Sequence, residues 1–337
     1  MKKNASRTQG EIYSVLLHHN ISKTIRHSTC CKGYKKMKKS LLLPFLALFI
    51  VNGIYGINFV IAKDVMPAFI KPSGFILIRV TGALILFWLI QLFTGIEKIE
   101  KKDLKFLALS GLFGVAINQL LFFEGLNLSS PINASILMSA TPITILVIGV
   151  IFSREKLTWF KIIGTALGAS GAIAIIIYSR GSMTNSPRAW LGNIFIILNA
   201  ISYAIYFVFA KPLMKKYKPL TVITWVFTFG LMFVLPFGFK QTMEIQWQTF
   251  TPDIIWKTCF VILGVTFIAY LFNIYALKYV DSSVVGIFIY TQPIIATVHS
   301  VWLGKDTITW VLVGCALMIF TGVYMVSRKN KNPIPDK

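Results

Sequence analysis

Residues 141–177 read TPITILVIGVIFSREKLTWFKIIGTALGASGAIAIII, the centre of a stretch from Ser129 to Tyr178. Pro142 interrupts an apolar helix; Glu155, the pair Thr158-Trp159 and Gly171 follow it. A shift of 151 residues carries these onto Pro293, Asp306, Thr309-Trp310 and Gly322, and carries Arg154 onto Lys305. Apolar helices share Ile and Val by chance. A proline, an acid, a Thr-Trp pair and a glycine in one ungapped register indicate an internal duplication, which has to be settled before any fold is assigned.

Composition sets the class. Hydrophobic residues make up 55%, charged residues 14%, and the mean hydropathy is +0.70. These values belong to a polytopic membrane protein and not to a soluble domain. A helix needs about 20 apolar residues to cross a bilayer. The first half offers five such runs, at 41–62, 73–94, 104–126, 131–152 and 159–178. The second offers five more, at 190–210, 220–239, 254–277, 282–303 and 308–327. The connections are too short for a soluble domain. The expected fold is therefore all-α, with ten transmembrane helices.

The net charge of +22 raises the question of nucleic acid, but its distribution answers otherwise. The tail to Ser40 holds ten Lys or Arg against one acid, Glu11. With that tail cytoplasmic, the inner loops and C-terminus carry sixteen basic residues and the outer loops seven. This is the positive-inside pattern with both termini in the cytoplasm. The partners implied are a bilayer with anionic headgroups and no nucleic acid.

Residues 1–36 are polar, basic and aperiodic, and include His18-His19 and Cys30-Cys31. Adjacent ligands with no second cluster do not make a metal site. No metal or cofactor is expected. At Met37 the text becomes MKKSLLLPFLALFIVNGIYG, which reads as the start of a bacterial inner-membrane protein. No small-x-small cleavage site follows, so this run is the first span and not a signal peptide. Cys259 and Cys315 lie in apolar runs and imply no disulfide.

The first and sixth spans end alike: Phe59-Val60-Ile61-Ala62-Lys63 answers Phe207-Val208-Phe209-Ala210-Lys211, with Tyr55 over Tyr203 at a shift of 148. Lys71-Pro72 answers Lys218-Pro219 in the same way. The chain thus divides into a basic tail (1–40), a first five-helix repeat (41–178), a second (190–327) and a cytoplasmic tail (328–337). An odd number of spans per copy inverts the second copy, giving two inverted repeats.

With YGINFVIAK, FILIRVTGALILF, EKLTWFKIIGTALGASGAI and the second copy from Gln292-Pro293 to Gly322, the chain resembles the EamA-type members of the drug/metabolite transporter superfamily. The likeness spans 41–327; Asp306 stands where these repeats usually show glutamate. The resemblance implies a ten-helix carrier that exports or exchanges amino acids, other metabolites or drugs through a cavity between its halves.

Chemistry has to come from the polar groups inside the spans. Two charges lie there, Arg79 and Glu124. A charge at bilayer depth costs roughly 2.5–3.5 kcal/mol or more unless paired or hydrated. Two readings stand: a salt bridge between the second and third spans, or an anchor for a substrate carboxylate or ammonium. Asn199, Ser202, Tyr203 and Tyr206 form a polar stripe at helical spacing. Asn52, Tyr55, Asn58, Asn118, Gln119, Tyr270, Asn273, Tyr290 and Gln292 add amides and phenols in other spans. Lipid cannot satisfy them, so they bind neighbouring helices or face a wet cavity. Pro142 and Pro293 are expected to kink their helices. Gly164, Gly168 and Gly171 allow close approach of a neighbouring helix, in a monomer or a weak homodimer. Glu155 and Asp306 are expected to sit at the turn and the N-terminus of the next helix, and Lys63 and Lys211 to snorkel.

The expected function is secondary transport of a small-molecule substrate in the inner membrane. A membrane-embedded enzyme needs a nucleophile or paired acids near a base. Neither pattern occurs, and a structural membrane protein is the other alternative. If Arg79 pairs with Glu124, the carboxylate stays ionised and transport follows substrate gradients alone.

Overall fold

The structure, a computed structural model, describes residues 42–153, 158–181, 187–277, 279 and 288–327. The tail with Met37, the turn holding Glu155 and the residues from 328 onward lie outside the described residues. Among the described residues the regular structure is all helical, with no strand.

Helices are numbered here by the spans they occupy. α1 is Leu42–Val65, α2 Pro72–Thr94 and α3 Lys101–Leu128. α4 runs as Pro131–Met138 and Thr141–Ser153, and α5 is Trp159–Gly181. α6 is Ala189–Lys216 and α7 Pro219–Met243. α8 comprises Pro252–Cys259, Phe260–Ile268 and Ala269–Leu277. α9 is Thr291–Trp302 and α10 Trp310–Ser327. Among the described residues nine helices are long and apolar enough to span a membrane. The run expected at 282–303 is described only from 288, so α9 falls short of that length.

Local chemistry explains the boundaries. Lys71 and Lys218 are extended and precede Pro72 and Pro219, whose fixed φ suits a first helical turn. Ser130 and Thr251 cap α4 and α8 by accepting from the N–H groups of Asn133 and Ile254. Thr158 and Thr309 do the same for α5 and α10, accepting from Lys161 and Leu312. The duplicated Thr-Trp pair thus has a physical meaning. Thr caps the helix, and the exposed Trp159 and Trp310 rings stand at its end, where an indole suits a membrane interface.

Pro142 has no N–H to offer the carbonyl of Met138, and α4 breaks at Ser139-Ala140. The Thr141 hydroxyl takes that carbonyl instead, at 2.6 Å. Ahead of Pro293, the Thr291 hydroxyl donates to Phe288 O at 2.7 Å. Two further departures from regular α geometry are π-helical: Leu112–Ala116 in α3 and Phe260–Ile268 in α8. Sequence placed the end of α6 at Ala210. The helix continues through Pro212 to Lys216, because Pro212 forfeits one hydrogen bond and the remaining turn is anchored at Lys216 and Tyr217.

Helices pack in a recurring scheme. α2 lies against α7 and α5 against α10. α3 contacts α6 and α7, while α8 contacts α1 and α2; α4 lies on α6 and α9 on α1. Small residues set the distances. A Cβ on Gly230 would meet the Val115 side chain at 2.5 Å, and one on Gly82 would meet Ile262 at 2.8 Å. Gly171 faces the Cys315 carbonyl and Gly164 the Gly322 carbonyl, so the glycines of α5 pack within the molecule against α10. Fully buried Phe75, Phe87 and Phe123 fill the interior, whereas Leu, Ile, Phe and Trp side chains cover the outer surface. That outside is apolar on nearly every helix, as lipid contact requires.

Candidate functional site

Arg79 is the centre. It lies seven residues beyond Pro72, about 10 Å along α2 at 1.5 Å per residue, and is 5% exposed. Nε donates to the Thr266 hydroxyl of α8 and Nη1 to Gln119 Oε1 of α3 at 2.9 Å. The guanidinium carbon stands 5.1 Å from the centre of the Phe123 ring. The Thr266 hydroxyl in turn donates to Val261 O at 3.0 Å, a carbonyl inside the π-helical stretch of α8. π-helical turns free backbone groups in this way and gather at functional sites.

Four phenols share this neighbourhood: Tyr55 from α1, Tyr203 and Tyr206 from α6, and Tyr270 from α8. Tyr203 and Tyr206 have ring centres 5.5 Å apart. Tyr270 stands edge-on to Phe227 at 5.6 Å and near Phe87 at 6.3 Å. Asn273 donates to Tyr55 Oη at 3.4 Å. These four tyrosines and Asn273 are half-buried although they sit inside the bundle, so part of each side chain faces open space.

The expected Arg79–Glu124 salt bridge is absent. Gln119 and Phe123 are one helical turn apart and both face Arg79. Glu124 is rotated a further 100° or so around α3, and its Oε1 lies 3.5 Å from Ser73 Oγ instead. Four other candidates are engaged as structure. Asn118 donates to Asn199 O at 3.2 Å and Asn199 to Asn118 O at 2.6 Å, a reciprocal clasp of α3 and α6. Ser202 supports it by donating to Phe113 O in the α3 π-helical turn. Asn52 donates to Leu48 O and accepts from Gln292 at 2.7 Å, joining α1 to α9. Asn58 is buried with its side-chain oxygen unpartnered. Tyr290 packs edge-on to Phe320 at 5.4 Å, away from the Arg79 cluster. Pro142 and Pro293 follow the helix breaks described above.

The bundle ends are held by charges. On the face carrying the α1–α2 turn, Asp64 binds Lys257 at 3.0 Å and also Lys305. Lys63 bends inward to the carbonyls of Leu126, Asn127 and Ser129, at the end of α3. Asp306 accepts from Thr307 N at 2.9 Å, in the turn before α10, and from Ile132 N at 3.4 Å, at the start of α4, while Thr309 caps α10. On the opposite face Lys216 binds Asp103 and Glu100 at 2.6 Å each, and Tyr217 donates to Asp103. Lys71 holds the Glu244 carboxyl below the usual carboxylate range, and Lys102 with Lys216 does the same to Glu100. Depressed carboxylates support the fold above the ordinary range, and that support fades as pH falls.

Of the polar residues gathered at Arg79, sequence reasoning left out Thr266. Tyr270 and Gln119 were visible as polar residues in apolar runs. Thr266 carried no signal, since a threonine in a membrane helix is ordinary and the π-helical turn that aims it is not written in residue type.

A lipid-compatible exterior around a buried cation and phenols defines a multi-pass membrane protein with a polar centre. The family model of the EamA-like transporter family matches residues 42–177 and again 190–328. A Bacillus subtilis protein named "Uncharacterized transporter YetK" is 27% identical over 301 residues, covering 88% of this chain and 90% of that protein. A "Probable terminal-alkyne amino-acid exporter" of Streptantibioticus cattleyicolor is 27% identical over 238 residues, 70% of this chain and 77% of the other. A solved crystal structure superposes with a TM-score of 0.55 at 17% identity, covering 86% of this chain and 98% of its own, which shows the fold alone. The chain belongs to the EamA-like transporter family. It is a membrane transporter, and its family and relatives are transporters and not enzymes.

Proposed function

We propose that the chain is a secondary carrier of small metabolites that works by alternating access, with two inverted five-helix repeats, 41–178 and 190–327, around a central site. The observation that carries this is the Arg79 cluster, to which α1, α2 and α3 contribute from one half and α6 and α8 from the other. Exchanging α1–α5 for α6–α10 maps the contact of α3 with α6 onto that of α8 with α1. The same exchange maps Gly82 against Ile262 onto Gly230 against Val115, at shifts of 148 and 147. The contact between Lys218 N and Glu97 on one face has its counterpart in Lys71 with Glu244 on the other.

Both termini are cytoplasmic in this proposal, in a cell inner membrane, on the strength of the positive-inside distribution. The α1–α2 face is then the outer one. Pro142 and Pro293 mark the helix breaks, and the Asn118–Asn199 and Asn52–Gln292 contacts clasp helices that carry the central cluster. The named amino-acid exporter among the relatives favours export or exchange of amino acids or similar metabolites.

Reconstituted protein should accumulate labelled substrate by counterflow against an unlabelled internal pool, in a screen of amino acids and organic acids. Vesicles no better than empty liposomes across the screen would refute the carrier. Single cysteines at Lys98 and Lys215 should label only from the cytoplasmic side, and one at Gln246 only from outside.

A further inference from the structure

Among the described residues, Arg79 is a buried cation without a counter-ion. Its hydrogen-bond partners, Thr266 and Gln119, are neutral, and Phe123 offers only a ring face. Among the described residues no ion pair involves it and no hydrogen-bond partner engages Nη2. Glu124, one residue beyond Phe123 on α3, is turned to Ser73. A guanidinium taken out of water is tolerable only when hydrated or paired. Its planar fork matches a carboxylate. Around it, the half-buried rings of Tyr55, Tyr203, Tyr206 and Tyr270 present aromatic faces and phenol donors. Among the described residues the cluster holds no carboxylate that would recognise an ammonium.

We propose that the central site takes a small organic carboxylate with an aromatic or apolar body, the carboxylate on Arg79 and the body among the four tyrosines. An α-amino group is tolerated but is not what the site reads. This rests on the carrier function proposed above for the route by which the ligand reaches the site.

The probes are phenylacetate, L-phenylalanine, L-phenylalaninamide and phenethylamine, which share one ring and differ in charge. Thermal unfolding of the purified full chain reads binding. Phenylacetate and L-phenylalanine should raise the transition temperature; the amide and the amine should not. Arg79→Lys keeps the charge and loses the fork, and should weaken phenylacetate roughly tenfold or more, the scale of losing a hydrogen bond to a charged group. Arg79→Gln should remove the response, with the unliganded transition of each variant reporting folding. Equal or stronger stabilisation by the two cations, or none by either carboxylate, overturns the proposal. The two claims fail separately. Binding of phenylacetate without counterflow leaves the anion site and removes the carrier; counterflow of cations alone does the reverse.

A second inference stands on the bundle ends. Lys63 and Lys211 close the matching motifs of α1 and α6, yet their environments differ. Lys63 is half-buried and holds the α3 carbonyls of Leu126, Asn127 and Ser129. A shift of 148 maps these acceptors onto Ile274, Tyr275 and Leu277 in the last turn of α8. Lys211 is exposed, makes no hydrogen bond to that turn among the described residues, and rests 6.0 Å from the Phe207 ring of its own helix. A cation at a helix C-terminus is favoured by the unpaired carbonyls there, so both turns are suitable seats, and among the described residues a lysine fills only that of α3.

We infer that the two lysines alternate. Lys63 holds the end of α3 while the α1–α2 face is shut, and Lys211 takes the last carbonyls of α8 in the opposite state, as Lys63 lets go. The test is a cysteine at Asn127 in a chain otherwise free of cysteine, labelled from the α1–α2 side with a membrane-impermeant maleimide. Lys63→Met should increase labelling, Lys211→Met should decrease it, and the double variant should fall between. Lys211→Met removes no hydrogen bond seen here, so its unfolding temperature should stay at the parent value. If Lys63→Met fails to fold, the Lys211→Met arm decides. Unchanged labelling in Lys211→Met, or a shift of both variants in one direction, overturns the inference.

Discussion

Arg79 Nη1 donates to Gln119 Oε1 across 2.9 Å, tying α2 to α3 through a neutral acceptor. The neutrality matters more than the bond. Gln119→Glu is nearly isosteric and would supply the missing counter-ion from within the protein. A buried, well-aligned ion pair holds its partners without needing a ligand. The variant should unfold at or above the wild-type temperature and lose its response to phenylacetate. Retained phenylacetate binding in Gln119→Glu would mean that the Arg79 charge is not what the site offers.

Asn118 and Asn199 are expected to act as structure. Each amide donates to the other's backbone carbonyl between α3 and α6. Interhelical hydrogen bonds in membranes average about 0.6 kcal/mol and reach about 1.7 kcal/mol. Asn118→Ala and Asn199→Ala should each lower stability within that range, read by reversible denaturation in detergent. Ligand preference should be unaltered in both. A changed preference without a stability loss would return them to the cavity wall.

Gly322 and Gly314 lie on the same helix and should respond oppositely to alanine. A Cβ on Gly322 would stand 2.5 Å from Gly164 O and 2.7 Å from Gly168 N, backbone atoms that cannot swing aside. Overpacking of this kind costs about 1–3 kcal/mol. Nothing lies within 4 Å of a Cβ on Gly314. There the replacement should be neutral or stabilising by up to about 1 kcal/mol, from helix propensity. Equal effects of Gly322→Ala and Gly314→Ala would contradict the α5–α10 packing.

Much of the fold is legible in residue type because the bilayer leaves few options. Runs such as 73–94 need length and apolarity alone, and Pro72 or Thr158 marks where a helix begins. The register of Pro142 and Gly171 on Pro293 and Gly322 signals the duplication, since those residues have specific backbone or packing duties. The site was half legible. Arg79 and the tyrosines stand out as polar residues in apolar runs. Which of them meet depends on helix rotation, which a span's composition does not encode: Phe123 and Glu124 are adjacent in sequence, yet only Phe123 meets Arg79. Lys63 reads as a snorkelling lysine because its acceptors are backbone carbonyls, which have no letter in the sequence.

Glu124 provides the sharpest reversal. Paired with Arg79, its loss would orphan a buried cation and harm folding. The structure separates them: Arg79 keeps Thr266, Gln119 and Phe123 whatever occupies position 124, and Glu124 contacts Ser73 at a marginal 3.5 Å. A hydrogen bond that long contributes little, and glutamine preserves the shape of the side chain. Glu124→Gln should therefore leave the unfolding transition within about 0.5 kcal/mol of wild type, the range of substitutions away from special features. Phenylacetate binding should also be unchanged. The pair of measurements discriminates cleanly. A large stability loss with the Arg79 response gone would restore the salt bridge. Intact stability and binding, together with loss of any transport driven by an imposed pH gradient, would assign Glu124 the handling of a proton at the α1–α2 face, apart from the substrate site.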